Sequence, residues 1–360
     1  MRKNLKFILG MCFLFVCVAI NPDIIKAKEQ NVCDINVVEV DDKEITYDKQ
    51  ELKDIISVLP DCKQLNIGEM FQCYNANTCE VIRYIPIYNS KKCVYIATLE
   101  ENNTFSISND VEFINKVFKK FDNSETVLLY IDGDELYAED EKKNVVVDEF
   151  PIFVEKNKKF HNSCFKNKIN QLKKSENRVG TTRVTSPYST KMELGLPYVT
   201  LTKSNENIHK CNITNFVRQE ENNCWAATVA TIVNYKKNKS LEAGDVNLAM
   251  GISWYLAGTV KDTKKALKHY GLSYSIKYGT PLSWVKVKES IGHKKPFCMG
   301  FISDAVAGHM VTGYGYATAD KKKYIAIWDS NGKFRMLTYE GSDSCITMYG
   351  YKFVWKDTVY

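Results

Sequence analysis

A cysteine opens a predicted helix in the stretch QEENNCWAATVATIVNY, which covers residues 219–235. Small apolar residues recur after it at the spacing of a helix with one buried face, at Ala226, Val229, Ala230 and Val233. Asn222 or Asn223 is expected to cap this helix. Cys224 would then lie in the first turn, where the positive end of the helix dipole stabilises a thiolate. The alternative is a small buried apolar residue, which is the common fate of a free cysteine.

A reactive thiolate needs a base, and His309 has the most suggestive context of the five histidines. The stretch GHMVTGYGYATADKKKYIAIWDSNG is predicted to form two strands joined by a turn, with His309 and Asp329 equally far from a centre near Ala319. In a hairpin of that register the two side chains are cross-strand neighbours on one face. A carboxylate beside an imidazole fixes its tautomer and stabilises the imidazolium. A slip of one residue would separate the two side chains.

Gln219 precedes the cysteine by five residues and could complete the site. Its side-chain amide and the backbone N–H of Cys224 would form an oxyanion hole for a tetrahedral intermediate. The alternative is an ordinary solvated glutamine in a loop. An amide donor, a Cys-Trp pair opening a helix, a Gly-His pair opening a strand and an aspartate ending the next strand occur in the order that acyl transfer requires.

These motifs resemble those of papain-like cysteine peptidases, in particular the small secreted bacterial branch typified by the staphopains. The resemblance covers roughly residues 200–360, through NCWAATVATIVNY, GHMVTGYGY and YIAIWDSNG. It implies that Cys224 attacks the substrate, His309 transfers the proton, Asp329 orients His309, and Gln219 donates to the oxyanion. It also implies a two-lobed domain, with the nucleophile helix in an N-terminal helical lobe and an antiparallel sheet in a C-terminal lobe.

The chain departs from the plant-type members of that family at two positions. Those members have asparagine where this chain has Asp329, and tryptophan where it has Asn331. The tryptophan shields the histidine contact from water, so the shield is absent here or comes from elsewhere. Asn331 could itself orient His309 if the strand continued that far, but Asp329 is preferred.

The front half predicts an α+β domain at residues 28–172. Apolar residues at helical spacing indicate helices at residues 47–59 and in DVEFINKVFKKF, and strands are indicated by EVIRYIPIYN, KKCVYIATLE, NTFSIS, TVLLYIDGDELYAED and NVVVDEF. The back half has helices first and strands afterwards, which also favours the α+β class. The front half resembles the propeptides of the secreted branch, although an independent binding domain is the alternative.

Two segments without a packed fold are predicted. Residues 1–27 carry Arg2, Lys3 and Lys6 before an apolar run and a small residue at Ala27, as in a secretory signal peptide. Residues 173–199 are rich in Ser, Thr and basic residues, which indicates an exposed linker that is cleavable or, as the alternative, a plain tether between domains. An even set of cysteines in the front half could form disulfides after export: Cys33, Cys62, Cys73, Cys79, Cys93 and Cys164.

Composition limits the partners. A net charge of +6 in 360 residues gives no dominant field for nucleic acid, so none is expected as a partner. Neither metal-ligand spacing nor a phosphate-binding motif accompanies the cysteines and histidines, so we expect no metal and no cofactor. After signal removal no membrane association is expected.

Together these features predict a secreted cysteine endopeptidase made as a zymogen. It would hydrolyse proteins or peptides through a thioester at Cys224, with its own propeptide as intramolecular inhibitor. The same triad also serves transglutaminases, amidases and cell-wall hydrolases, because triad geometry does not determine the substrate. A secreted binding protein with an inert Cys224 is the non-enzymatic alternative.

Overall fold

The computed structural model describes residues 33–40, 45–60, 62–89, 92–121, 126–151, 181–186 and 207–360. The predicted signal peptide, Cys164 and most of the predicted linker lie outside the described residues, so those predictions are not tested by it. Within the described ranges, no helix is both long enough and apolar enough to cross a membrane.

The front half combines two helices with strands that pair mostly antiparallel, while the pairings of Val37 with Val127 and of Tyr74 with Tyr130 are parallel. The helices are α1 (Lys49–Ser57) and α2 (Glu112–Lys120), and Cys62–Gln64 form a 3-10 turn. The strands are β1 (Cys33–Val38), β2 (Leu65–Ile67), β3 (Phe71–Asn75), β4 (Glu80–Asn89), β5 (Lys92–Leu99), β6 (Phe105–Ser108), β7 (Thr126–Asp132), β8 (Glu135–Glu139) and β9 (Asn144–Glu149). The predicted α+β class and both predicted helices are confirmed in this half.

Helix α1 forms where the sequence predicts an amphipathic helix. Its start is capped by Asp48, whose Oδ1 accepts hydrogen bonds from the backbone N–H groups of Gln50 at 2.8 Å and Glu51 at 3.3 Å. Its apolar face is buried at Leu52, Ile55 and Ile56.

A strand lies inside the predicted linker. Thr181–Ser186, β10, pairs antiparallel with Cys33–Val38. The predicted linker at residues 173–199 thus contains a strand at these six positions, and its exposure and cleavage stay predictions. Thr181, Thr182, Val184 and Thr185 are β-branched and favour an extended backbone, a signal that the low apolar content of the segment concealed.

The back half places its helices before its main strands, as predicted. The helices are α3 (Cys224–Lys237), α4 (Ala243–Met250), α5 (Val260–His269) and α6 (Trp284–Gly292), and Gly341–Asp343 form a 3-10 turn. The strands are β11 (Ile208–Lys210), β12 (Ile276–Lys277), β13 (Phe297–Ile302), β14 (His309–Ala319), β15 (Lys322–Asp329), β16 (Lys333–Thr338), β17 (Cys345–Met348) and β18 (Tyr351–Val359). Helices α4 and α6 were not predicted.

Helix α3 is the central element of the helical part. Residues 225–234 are all buried, so the prediction that a single face is buried is wrong. A helix that is apolar or small on all sides lies in the middle of a core. Here α4 and α5 cover it, through Val246, Ala266 and Leu267.

The two halves of the chain share one sheet and one core. Strand β6 of the front half pairs antiparallel with β16 of the back half, so that Ser108 lies opposite Arg335. One apolar cluster joins front-half residues such as Leu52 and Phe105 to back-half residues such as Met336. The predicted boundary between two domains therefore crosses a continuous packed interior.

Gly350 marks a close approach of the halves. Its φ is +77°, and an added Cβ would lie 2.0 Å from Cδ1 of Ile131 in β7. Gly341 also has a positive φ, +62°, but an added Cβ would meet nothing within 4 Å. A side chain at Gly341 would therefore meet backbone strain alone, whereas a side chain at Gly350 would meet both backbone strain and a steric clash between the halves.

Alanine at both positions tests this contact. Gly341→Ala is expected to lower the free energy of unfolding by about 1–2 kcal/mol, which is the cost of a left-handed backbone for an L residue. Gly350→Ala is expected to lose about 1–3 kcal/mol more, because the methyl group overpacks against Ile131. Urea unfolding of the two variants gives the comparison. Equal losses would contradict a close packing of the halves at this point.

Candidate active site

Cys224 is the first residue of α3 and is partly buried. Asn223 stands at the N-cap position, but its side chain does not cap the helix. Its Oδ1 instead accepts from the backbone N–H of Glu220 at 2.9 Å. The predicted N-cap position of Asn223 and the predicted place of Cys224 in the first turn are therefore correct, although the Asn223 side chain makes no capping hydrogen bond. The N–H groups of a first turn have no partner within the helix and point outward.

Trp225 fixes the start of the helix. Its side chain is fully buried, and its Nε1 donates to the carbonyl of Leu256 at 3.4 Å. Gly258 allows the loop before α5 to cross the indole, since an added Cβ would lie 2.5 Å from the ring. The loop and the indole together hold the cysteine end of α3 in place.

A hairpin brings His309 and Asp329 together in a register that differs from the predicted one. Strands β14 and β15 turn at residues 320–321, whose φ angles of 41° and 67° are those of a type I′ turn. Ala319 therefore lies opposite Lys322. The prediction that His309 and Asp329 face each other directly about a centre near Ala319 is wrong.

A β-bulge nevertheless puts both side chains on one face. Strand β14 contributes one extra residue, Tyr314, where its register with β15 shifts within 313–315. The shifted ladder places Asp329 opposite Val311, two residues from His309. Without the bulge Asp329 would lie opposite the residue after Val311, which is three positions from His309. It would then be separated from His309 by an odd number of residues, and the two would point to opposite faces.

The resulting contact is a buried hydrogen bond. His309 Nε2 donates to Asp329 Oδ1 at 2.8 Å, with 7% of His309 and 0% of Asp329 exposed. The other ring nitrogen, Nδ1, is left for Cys224, whose side chain hydrogen-bonds to that of His309. The structure thus brings three of the predicted site residues into one line of contacts.

Asp329 has further partners that the sequence did not reveal. Its Oδ2 accepts from Nε of Arg335 at 2.9 Å and from the hydroxyl of Tyr349. Arg335 lies in β16 and is only 3% exposed. A charged residue among the apolar residues of a strand was the available signal, and it was not used. No comparable signal pointed to Tyr349.

Asn331 does not orient His309. It lies beyond the end of β15, and its backbone N–H donates to Asp329 Oδ1 at 3.0 Å. The preference for Asp329 is therefore supported by the geometry. Cover for the His309–Asp329 contact comes from Tyr349 and from Phe353, whose ring lies edge-on at 6.5 Å from the imidazole.

The electrostatics favour an ion pair between Cys224 and His309. Burial alone raises the pKa of the Cys224 thiol. The hydrogen bond and charge of His309, with hydrogen bonds to the backbone at Met310 and Trp225, outweigh burial and lower that pKa below its usual value. Burial likewise lowers the pKa of His309, but the charge of Asp329 outweighs it and raises that pKa well above the usual value. The pKa of Asp329 is lowered despite its burial, chiefly by His309 and Arg335.

The other back-half cysteines behave in the opposite way. Burial raises the pKa of Cys211 and of Cys345 to about 12, and it raises the pKa of Cys298 as well. All three are buried free thiols. Among the cysteines whose side chains the structure describes, a lowered pKa distinguishes Cys224, because it has a cationic partner.

The front-half cysteines include both a disulfide-bonded residue and free thiols. Cys79 is disulfide-bonded, whereas Cys62, Cys73 and Cys93 are free thiols. The prediction of disulfides in this half is therefore correct for Cys79 and wrong for these three.

Gln219 is hydrogen-bonded to Ser330, the residue that follows Asp329. Its backbone N–H donates to the carbonyl of Ser330 at 2.9 Å, and its Oε1 accepts from Ser330 Oγ at 2.7 Å. Its Nε2 donates to the carbonyl of Glu221. An amide nitrogen carries two hydrogens, so one donor is left for a ligand. Gln219, Asn222, Ser330 and Asn331 line one pocket, and neither Cys224 nor His309 is among its lining residues.

No group of three or more His, Cys, Asp or Glu side chains placed to hold a metal ion occurs in the part of the chain that the structure describes.

Residues 207–336 match the family model described as papain-like cysteine protease AvrRpt2. The match covers less than half of the chain and includes Gln219, Cys224, His309 and Asp329. No curated protein matches the chain. The match supports the predicted papain-like class, while the staphopain-like branch and the propeptide stay predictions.

Alkylation with iodoacetamide tests the ion pair. The thiolate is lost on the acidic side when Cys224 is protonated, and the imidazolium is lost on the basic side when His309 is deprotonated. Because the two pKa values are shifted apart, Cys224 is expected to react at about pH 6, well below the ordinary cysteine pKa of about 8.5. Mass spectrometry of tryptic peptides identifies the modified residue.

His309→Ala is the matched variant for this labelling. It keeps the thiol but removes its cationic partner, so labelling at about pH 6 is expected to slow at least tenfold while labelling at about pH 9 changes less. Equal rates in the two proteins at the lower pH would contradict the ion pair.

Proposed function

We propose that Cys224, His309, Asp329 and Gln219 are the catalytic residues of a papain-like cysteine peptidase that hydrolyses internal peptide bonds. The observation that carries this proposal is the contact of a thiol of lowered pKa with an imidazole that a buried carboxylate holds. An inert cysteine has no need of such a partner.

The proposed mechanism follows from these contacts. The thiolate of Cys224 attacks the scissile carbonyl, and the remaining amide hydrogen of Gln219 and the backbone N–H of Cys224 stabilise the oxyanion. His309 gives its proton to the departing amine, which leaves a thioester on Cys224. The neutral imidazole then takes a proton from water, the hydroxide attacks the thioester, and the acid product leaves as the thiolate re-forms.

Asp329 acts on His309 rather than on the substrate. Its buried carboxylate fixes the tautomer with the proton on Nε2 and stabilises the imidazolium. This role needs a charged acceptor, so the amide of an asparagine is a weaker substitute here.

We further propose that the enzyme is exported and made as a zymogen of the staphopain-like type. Support comes from the signal-like residues 1–27 and from the disulfide at Cys79, which suits an oxidising compartment. Phe150 and Pro151, the last residues described before the linker, line the same pocket as Gln219. Their position beside Gln219 supports the proposal that the front half restricts access to the oxyanion side of the site until a cut within residues 173–199 relieves that restriction.

A comparison of two substitutions tests the role of Asp329. Asp329→Asn is expected to lower kcat/KM by about 10²–10⁴, because the imidazolium loses its counter-charge. Asn331→Ala should change kcat/KM by less than about tenfold, since its side chain makes no contact with His309 among those described. Steady-state cleavage of a fluorogenic peptide gives both values, and circular dichroism checks that both variants fold. Equal losses would contradict the assignment.

Processing of the full chain tests the zymogen. Under reducing conditions the purified protein is expected to acquire a new N-terminus between residues 173 and 199 and to begin to cleave casein. Cys224→Ala is expected to do neither. Casein cleavage that persists in Cys224→Ala would refute the catalytic assignment. Inactivity on casein together with release of peptidoglycan fragments, or with incorporation of an amine, would indicate a hydrolase or transglutaminase that uses the same triad.

A further inference from the structure

Arg335 lies between two carboxylates that come from different halves of the chain. Its Nε donates to Asp329 Oδ2 at 2.9 Å, and its Nη2 lies 3.7 Å from Asp110 Oδ2. Its Nη1 donates to Ser108 Oγ at 3.1 Å. The ring of Tyr349 lies 4.9 Å from the guanidinium carbon and covers its face. The guanidinium is thus fixed on one side by the back half and on the other by the front half.

The front-half partners are themselves held firmly. Ser108 is paired with Arg335 in the β6–β16 ladder, and its Oγ also accepts from the backbone N–H of Asp110 at 3.0 Å. Asp110 Oδ1 lies 2.7 Å from Nζ of Lys333. Asn109 continues the pairing, since its backbone N–H donates to the carbonyl of Phe334 at 3.2 Å. The geometry of Asp110 is therefore set by the same strand pairing that joins the halves.

Charge balance gives Asp110 a defined effect. Asp329 faces two cations, Arg335 and the imidazolium of His309. A guanidinium with no other carboxylate would concentrate its attraction on Asp329 and compete with His309 for it. Asp110 supplies a second anion, which leaves Asp329 available to the imidazolium. The front half thereby acts on the site through the end of β6 and the residues that follow it.

We propose that Arg335 is a positioning residue for Asp329, that Ser108 and Asp110 complete its setting, and that the front half therefore stays bound as a required part of the enzyme after the linker is cut. This inference rests on the proposed function of Asp329. Under this inference the front half is not a propeptide that dissociates after cleavage. It stays bound to the back half, and the cut frees only the linker.

The contact between the halves is of the kind that survives a cut in the chain. Beside the shared strand pairing and core, Glu100 of the front half accepts from the backbone N–H of Thr347 at 2.9 Å and from its hydroxyl at 2.7 Å. Asn75 Nδ2 donates to the carbonyl of Gly350 at 2.6 Å. An apolar, hydrogen-bonded interface of this type resembles the interior of a domain more than a transient contact.

A double-mutant cycle in the full chain tests the positioning role, with Arg335→Gln, Asp110→Asn and both together. Each single change is expected to lower kcat at least about tenfold with a smaller change in KM. The reason is that the change disturbs the position of Asp329 and not the surface that binds the substrate. The double variant should be no worse than Arg335→Gln, because Asp110 acts through Arg335. Losses that multiply independently would overturn the proposal. Should Arg335→Gln fail to fold, Arg335→Lys replaces it in the same cycle.

The pH dependence of kcat/KM distinguishes a positioning role of Asp110 from a purely structural one. In Asp110→Asn the imidazolium of His309 loses support from Asp329, so its pKa falls and the basic limb of kcat/KM is expected to move to lower pH. Other charged or titratable side chains around Asp110 and Arg335 also contribute to the field and are left unchanged: Tyr84, Asp148, Lys333 and Tyr349. A basic limb at the wild-type pH would overturn the proposal.

Thr347→Val is the matched control at the same interface. It removes the hydroxyl that binds Glu100 and keeps the shape of the side chain, but it touches neither Arg335 nor Asp110 in the contacts described. Its basic limb is expected to match that of the wild type. A shift equal to that of Asp110→Asn would mean that any weakening of the interface has the effect, which would overturn the role of Asp110.

Retention of the front half is tested by cutting the linker. A specific protease site is introduced within residues 187–199 of the full chain, and the cut protein is passed over a gel-filtration column. Both fragments are expected in one peak with full activity. A back fragment that elutes alone with full kcat would overturn the proposal.

The outcomes for this inference and for the proposed function are distinct. A wild-type chain that is alkylated at Cys224 but hydrolyses no protein refutes the proposed function. A wild-type chain that cleaves casein while Asp110→Asn has unchanged kcat and pH profile refutes this inference and leaves the peptidase assignment intact.

Discussion

The buried hydrogen bond between His309 and Asp329 is the interaction on which the site depends. A carboxylate with no exposed surface is costly unless donors and counter-charges surround it. Here His309, Arg335 and Tyr349 supply them, and the pKa of Asp329 is lowered in spite of burial. The charge that remains on Asp329 keeps the imidazole protonated beside Cys224. Every element of the back half that touches this carboxylate therefore affects the thiol.

The side chains that contact a cysteine, rather than its burial, decide the reactivity of its thiol. Cys211 and Cys298 are buried in apolar surroundings, and the pKa of each thiol is raised. Cys224 also suffers desolvation, but the imidazolium of His309 reverses the direction of the shift. A sequence shows which cysteines exist, whereas this reversal depends on a contact between α3 and β14, whose residues are far apart in the chain.

Local signals predicted much of the fold. Helical and alternating apolar spacing located α1, α2, α3 and most strands, and it placed Cys224 in the first turn of α3. The pairing of His309 with Asp329 was also anticipated, but through a register that the structure does not have. The type I′ turn contains Asp and Lys at positive φ in place of the usual glycine, so its position was obscured. A bulge cannot be located from spacing alone.

Contacts between distant segments were beyond what the sequence alone could predict. The pairing of β6 with β16 joins residues more than two hundred positions apart, and the sequence of neither strand identifies the strand with which it pairs. Arg335 and Tyr349 were missed for the same reason, because their importance lies in the carboxylate they surround. The predicted boundary between a front domain and a peptidase domain followed composition, which does not record a shared core.

The bulge at Tyr314 gives the β14–β15 hairpin two ends with different tolerance to changes in length. Residues added at the tip, beside Asp320 and Lys321, can be absorbed in a longer loop while Ala319 stays opposite Lys322. One residue added between the bulge and the tip would instead invert the alternation that the bulge corrects. The tip is thus the place where an epitope or a fluorophore-binding tag could be inserted without disturbing the imidazole, and the strand interiors are not.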